Sequence, residues 1–135
     1  MSQILVVDDD PMILRALEHI LVKEGYEVLT ATNGLEGLRM AQEKTPDLVI
    51  LDVMLPGLDG FEVCYRLHHG LKTGKIPILM LSAKGQEIDQ ETGRKFGAFN
   101  YLVKPVNRVE LLDTVQKLFA RRQEAHPTLA GSNGN

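Results

Sequence analysis

The chain has 135 residues with 15 Lys and Arg against 18 Asp and Glu, giving a formal net charge of -3; this length suits one domain with a single sizeable core. Such a charge balance excludes the broad basic surface that binds nucleic acid or an anionic membrane, and a single cysteine excludes an internal disulfide. The chain has no signal-like start and no apolar run near the roughly 20 residues of a membrane span, so we expect a soluble cytoplasmic protein.

Short apolar runs alternate with longer stretches of helical period, an alternation typical of βα units around a parallel sheet. The first, third and fourth runs are apolar throughout, as expected for strands that helices cover on both faces, and the second and fifth are less enclosed. The five predicted strands are, in chain order, Ile4–Val7, Tyr26–Thr30, Leu48–Leu51, Ile76–Leu81 and Phe99–Val103.

Helical periodicity occupies the segments between these strands. It predicts one helix after Pro11 and another near the end of the chain, from about Leu111 to Phe119. Asn33-Gly34 and Asp59-Gly60 open two further helices, the second with its apolar residues up to Leu71 facing the core. A further helix is predicted over residues 85–96. We expect it to be the least stable helix, because a glycine inside it costs about 1 kcal/mol relative to alanine.

Three consecutive carboxylates, Asp8, Asp9 and Asp10, follow the first predicted strand. Two carboxylates about 4 Å apart repel by roughly 4 kcal/mol at an effective dielectric constant of 20, so another group must offset their charge. Asp10 before Pro11 has the arrangement of a helix cap. For Asp8 and Asp9 the sequence predicts a hard divalent cation, which carboxylate oxygens bind.

Further reactive side chains follow the other predicted strands. The third strand is followed by Asp52, the fourth by Ser82 and the fifth by Lys104, and the carboxyl ends of parallel strands meet at one edge of a sheet. Phosphoryl transfer uses all of these types: carboxylates hold Mg²⁺, an aspartate can be the nucleophile, and ammonium and hydroxyl groups bind phosphate oxygens. We therefore predict a phosphoryl-transfer site, in which Asp52 is one carboxylate that could serve as the nucleophile.

Four stretches resemble the receiver domains of two-component response regulators, and they occur in the family's order within residues 3–120: ILVVDDDP, LVILDVMLPGLDGFEV, ILMLSA and GAFNYLVKP. The resemblance implies an α/β, flavodoxin-like, doubly wound three-layer sandwich. Its five-stranded parallel sheet would have strand order 2-1-3-4-5 and five flanking helices. After the last helix the chain loses helical periodicity and becomes small and polar, so we expect a receiver domain over residues 1–121 and a flexible tail or the start of a linker over residues 122–135.

The resemblance gives each site residue a role. Asp52 matches the phosphoacceptor that takes a phosphoryl group from a kinase histidine, and Lys104 matches the lysine that pairs with the phosphate. Mg²⁺ would be bound directly by Asp9, through water by Asp8, and also by Asp52 and the backbone carbonyl of Met54. The protein would then be a phosphoacceptor that catalyses its own phosphorylation and dephosphorylation, and not an enzyme acting on other molecules.

The resemblance also implies a conformational switch and a set of partners. Ser82 matches the hydroxyl that swings to the phosphate, and Tyr101 matches the aromatic that turns inward with it; Lys104-Pro105 matches a cis peptide. The face formed by the helix over 85–96, the fifth strand and the last helix would change partner choice. Partners would be a sensor histidine kinase or phosphotransfer protein and a downstream partner or output domain. No direct nucleic-acid or membrane binding is expected, and the protein would be a monomer or a phosphorylation-dependent homodimer.

The sequence departs from the receiver pattern at two places near the fifth strand. Phe99-Asn100 stands where many relatives have an acidic pair, and Val106 stands where phenylalanine is common. These changes leave the phosphorylation chemistry intact but weaken any inference about a dimer surface.

Three alternative functions share some of these sequence features. Haloacid-dehalogenase-like phosphatases also use an aspartyl phosphate and have the Asp-x-Asp spacing, and a protein of that class would become phosphorylated on Asp8. Against this alternative, Met12 replaces the expected Thr or Val, no strand-end acid pair follows Lys104, and there is no cap insertion. A pseudo-receiver that only binds partners would lack a key acid or the lysine, and none is missing. A flavin-binding role is disfavoured because the acids after the first strand would repel the cofactor phosphate.

Overall fold

Strands and helices alternate along the chain in the computed structural model, which describes residues 1–83 and 100–125. The predicted helix over residues 85–96 and residue Phe99 of the predicted fifth strand lie outside the described residues. The elements are, in chain order, β1 (Gln3–Val7), α1 (Pro11–Lys23), β2 (Glu27–Ala31), α2 (Gly34–Lys44), β3 (Leu48–Asp52), α3 (Gly60–His68), β4 (Ile78–Ser82), β5 (Asn100–Val103) and a C-terminal helix (Arg108–Ala125).

The five strands form one parallel sheet in the order β2-β1-β3-β4-β5. β3 and β4 are buried along their whole length, whereas β2 and β5 at the sheet edges are partly exposed. This difference follows from the sequence, because only strands covered on both faces can be apolar at every position. The predicted fold and strand order are confirmed.

Two hydrophobic clusters lie on opposite faces of the sheet, because successive side chains of a strand point in opposite directions. Along β1, Leu5 belongs to one cluster with residues of α2 and α3, and Ile4 belongs to the other with residues of α1 and the C-terminal helix. Each large apolar side chain that is fully buried contributes roughly 1.5–3 kcal/mol relative to an exposed one. The sheet therefore lies between the two hydrophobic clusters and contributes side chains to both.

Side-chain caps set where three helices begin. Asp10 accepts a hydrogen bond from the N–H of Met12 at 2.9 Å, as predicted for the residue before Pro11. Asn33 and Asp59 cap α2 and α3 in the same way. These caps satisfy backbone N–H groups that have no partner within their own helix.

One core prediction is wrong: Leu71 does not face the core but is fully exposed. Helix α3 ends at His68, and the following loop is held instead by the buried Thr73, whose hydroxyl donates to the carbonyl of Leu67 at 2.6 Å. Hydrophobic periodicity overestimates the length of α3, because it does not identify the buried polar residue Thr73 of the loop.

The C-terminal helix continues to Ala125, past the domain limit that the sequence predicted at residue 121. Residues 126–135 lie outside the described part of the chain, so the predicted tail stays a prediction there. Among residues 1–83 and 100–125, no helix has the length and apolar character that crossing a membrane requires.

Candidate acidic site

The carboxyl ends of β1 and β3 place two aspartates side by side. Val7 is in register with Leu51 across the two parallel strands, so the next residue of each strand, Asp8 and Asp52, emerges at the same edge of the sheet. Asp8 is fully buried, and Asp52 is 5% exposed. Burying two carboxylates is costly unless a positive charge compensates them.

Lys104 supplies that charge. Its Nζ atom lies 2.9 Å from Oδ2 of Asp8 and 3.0 Å from Oδ2 of Asp52. The backbone N–H of Lys104 donates to the carbonyl of Ser82 at 2.7 Å, continuing the pairing of β5 with β4, and the Lys104-Pro105 peptide is cis, as predicted. The ion pair with Asp8 was missed from the sequence, where Lys104 was expected to face phosphate. The sequence does contain a signal for this ion pair, because the predicted sheet edge carries several carboxylates and Lys104 is the cation that follows a strand there.

Burial and neighbouring charges have opposing effects on the pKa values of Asp52 and Lys104. Burial raises the pKa of Asp52 above the ordinary range, and repulsion from Asp8 adds to that rise, while the hydrogen bonds from Lys104 and from the Met54 N–H lower it in part. For Lys104, burial alone would lower the pKa, but its hydrogen bonds to Asp8 and Asp52 outweigh burial, so its pKa is raised. The lysine is therefore held in its charged form by the two acids.

Asp9 completes a group of three carboxylates. One oxygen from each of Asp8, Asp9 and Asp52 lies within 4.8 Å of the others, with Asp9 exposed at the surface. After pairing with Lys104, the group keeps two negative charges, and its donors are all oxygen, the ligand type of Mg²⁺. The residues present thus fit a hard divalent cation. Asp10 does not belong to the group, because its side chain caps α1.

Met54 contacts this group, Ser82 ends the neighbouring strand β4 at the same edge, and Tyr101 lies within β5. The N–H of Met54 donates to Oδ1 of Asp52 at 3.2 Å, and the Met54 side chain is exposed. Ser82 is buried at the end of β4. Tyr101 is in register with Met80, is half-buried against the cluster that contains α3, and has a buried hydroxyl. The structure thus brings Asp8, Asp9, Asp52 and Lys104 together, with Ser82 at the same edge.

Comparisons with known proteins identify the family that the chain resembles. The response regulator receiver domain family matches residues 4–116. The transcriptional regulatory protein AfsQ1 of Streptomyces coelicolor is 42% identical over 135 residues, which are 100% of this chain and 58% of AfsQ1. Protein PilH of Pseudomonas aeruginosa is 39% identical over 120 residues, which are 89% of this chain and 99% of PilH. The chain therefore spans little more than half the length of AfsQ1 but nearly all of PilH.

One solved structure that is similar to this chain contains a bound magnesium ion. The receiver domain of sensor histidine kinase PA1611 from Pseudomonas aeruginosa PAO1 has a magnesium ion coordinated in its active site cleft. It superposes with a TM-score of 0.80 and 29% sequence identity, covering 88% of this chain and 98% of that chain.

Proposed function

This chain belongs to the response regulator receiver domain family, and from that membership we propose that it accepts a phosphoryl group on Asp52 in a Mg²⁺-dependent reaction. The observation that supports this most directly is the meeting of three carboxylates and one ammonium group at the carboxyl edge of the sheet. An aspartate at such a site can act as the nucleophile.

In the proposed reaction, a carboxylate oxygen of Asp52 forms a bond to the phosphorus of a phosphohistidine. The phosphorus–nitrogen bond breaks, and its electron pair returns to the imidazole of the donor. Lys104, which already contacts Asp52 at 3.0 Å, offers a positive charge to the transferring oxygens, where charge neutralisation and alignment supply most of the catalysis. Ser82 would donate a hydrogen bond to the same oxygens.

Asp8, Asp9, Asp52 and the backbone carbonyl of Met54 would hold the Mg²⁺. When bound, the metal supplies charge neutralisation for the carboxylates and for the phosphoryl oxygens. The donor set of this chain fits that role, and the magnesium ion of the PA1611 receiver domain supports it.

The proposal extends to partners and to switching. The donor would be a sensor histidine kinase or a phosphotransfer protein, and the recipient of the signal would be a downstream partner or an output domain. Phosphorylation would shift an equilibrium between two conformations through Ser82 and Tyr101 and so change the surface around β5. The same site would catalyse loss of the phosphoryl group by hydrolysis.

Acetyl phosphate with Mg²⁺ tests the phosphoacceptor directly. We expect the intact mass to increase by one phosphoryl group, Asp52→Asn to abolish the increase, and removal of Mg²⁺ with EDTA to suppress it. Asp113→Asn is the matched control, because Asp113 is an exposed acid paired with Lys117 on the C-terminal helix. Undiminished phosphorylation of Asp52→Asn, or mapping of the phosphoryl group to Asp8, would overturn the assignment and favour the phosphatase-like alternative.

A further inference from the structure

The first residue of α3 packs directly against the backbone of Asp52. A Cβ atom at Gly60 would overlap the carbonyl oxygen of Asp52 and lie 2.8 Å from the Cα atom of Val53. The N–H of Gly60 donates to the carbonyl of Val53 at 2.9 Å. Residue 60 therefore has room for a hydrogen atom only, because the atoms it would meet are backbone and cannot rotate away.

A second glycine makes an equivalent contact at the other end of the loop that joins β3 to α3. A Cβ atom at Gly34, the first residue of α2, would overlap the carbonyl oxygen of Leu58 and lie 3.0 Å from a methyl group of Val63. The loop over residues 53–59 is thus confined by the start of α3 on one side and the start of α2 on the other.

Both helix starts are held firmly. Asn33 accepts from the N–H of Glu36 at 2.8 Å, and the Glu36 carboxylate accepts in return from the N–H of Thr32 at 2.8 Å. Asp59 accepts from the N–H of Glu62 at 2.9 Å. The reciprocal pair at α2 and the single cap at α3 each order the first helical turn, so both glycines contact the loop from ordered backbone.

We propose that Gly34 and Gly60 are positioning residues for the carboxylate of Asp52. A side chain at either position would displace the loop, and with it the Met54 N–H that donates to Oδ1 of Asp52. The displacement would separate Asp52 from Lys104 and from the other two carboxylates. The inference rests on the proposed function, since it takes Asp52 as the phosphoacceptor.

The experiment compares Gly60→Ala and Gly34→Ala with Gly74→Ala. Gly74 is the matched control, because a Cβ there would also meet backbone, the Gly70 carbonyl at 2.9 Å, but in the loop between α3 and β4. Two quantities are measured on each folded variant: Mg²⁺ affinity by calorimetric titration, and the initial rate of phosphorylation by acetyl phosphate at saturating Mg²⁺. Unfolding by urea gives the stability of each variant separately.

We expect Gly60→Ala to weaken Mg²⁺ binding and to slow phosphorylation by about 100-fold, the effect of a misplacement of about 1 Å in a reacting group. Gly34→Ala should reduce both quantities by a smaller factor, and Gly74→Ala should lower stability alone. Wild-type Mg²⁺ affinity and rate in folded Gly60→Ala would overturn the proposal. So would an equal loss of both quantities in Gly74→Ala, because that result would make the effect a general consequence of lower stability.

Should Gly60→Ala fail to fold, Gly34→Ala and amide hydrogen exchange of the wild-type protein decide the question. The proposal requires the Gly60 amide to exchange as slowly as the amides of β3, and fast exchange through local opening would contradict it. Failure of the proposed function is recognised separately: wild-type protein would not be phosphorylated, while the Mg²⁺ titrations would still show whether the glycines position the carboxylates.

Discussion

The ammonium group of Lys104 lies within 3.0 Å of carboxylate oxygens of both Asp8 and Asp52. Lys104→Met would leave the two buried acids facing each other. We expect it to lower the free energy of unfolding by about 3 kcal/mol in EDTA, the lower end of the range for a broken buried ion pair, because Lys104 keeps some contact with solvent. Added Mg²⁺ should stabilise this variant more than the wild type, because the metal replaces the lost charge.

Urea denaturation with and without Mg²⁺ measures both effects. Lys117→Met is the control, because Lys117 and its partner Asp113 are exposed on the C-terminal helix, where such a pair contributes about 0.5 kcal/mol or less. Equal losses of stability in the two lysine variants would show that Lys104 does not neutralise the buried acids.

Cys64, a buried residue of α3 that is not part of the acidic group, should make the stability of the protein depend on pH. Burial raises the pKa of its thiol from 9.0 to about 12, so the folded protein keeps the proton at pH values where the unfolded chain releases it. Stability from this thiol is therefore complete below about pH 9 and is lost toward pH 12, by roughly 1.4 kcal/mol per pH unit. Urea midpoints at pH 8 and pH 10 should show the loss, and Cys64→Ala should show a smaller one. Identical pH slopes in the two proteins would contradict it.

At the scale of the element, the three consecutive aspartates after β1 have different roles. Asp10 caps α1, whereas Asp9 belongs to the carboxylate group. Asp10→Ala should lower the free energy of unfolding by about 1 kcal/mol, the typical loss for a helix cap, and leave Mg²⁺ affinity unchanged. Asp9→Ala should do the reverse, weakening Mg²⁺ binding with little loss of stability. Calorimetric titration and urea denaturation of both variants test this, and loss of Mg²⁺ affinity in Asp10→Ala would show that the cap assignment is incomplete.

The starts of α1, α2 and α3 were predictable from the sequence because they depend on local capping chemistry, whereas β4 begins at Ile78 and the C-terminal helix at Arg108, not at the predicted Ile76 and Leu111. Asp10, Asn33 and Asp59 all cap the helices that they were predicted to open. Helix ends were less predictable, as Leu71 shows, because the end of α3 depends on the buried hydroxyl of Thr73 and not on hydrophobic period. Close backbone approaches, such as that of Gly60 to Asp52, leave no pattern in a single sequence.

At the scale of the whole molecule, the sheet order explains why residues far apart in sequence meet. Asp8 directly follows β1, Asp52 ends β3 and Lys104 directly follows β5, and they share one edge because the strands are parallel. The sequence predicted this shared edge, because buried strands were recognisable and their ends carry the acids and the lysine. It did not predict which atoms pair, because ion-pair partners depend on distances that strand position alone does not determine.

Unfolding should be a single cooperative event, because the strands of the sheet contribute side chains to both hydrophobic clusters. Leu21 belongs to the cluster beside α1, and Leu67 to the cluster beside α3; both are fully buried. Leu21→Ala and Leu67→Ala should each lower the free energy of unfolding by about 2–5 kcal/mol without changing the dependence on urea. Leu71→Ala, at an exposed position, should have almost no effect. Circular dichroism and tyrosine fluorescence should give coincident transitions in every variant; separate transitions in Leu67→Ala would show that the two halves unfold independently.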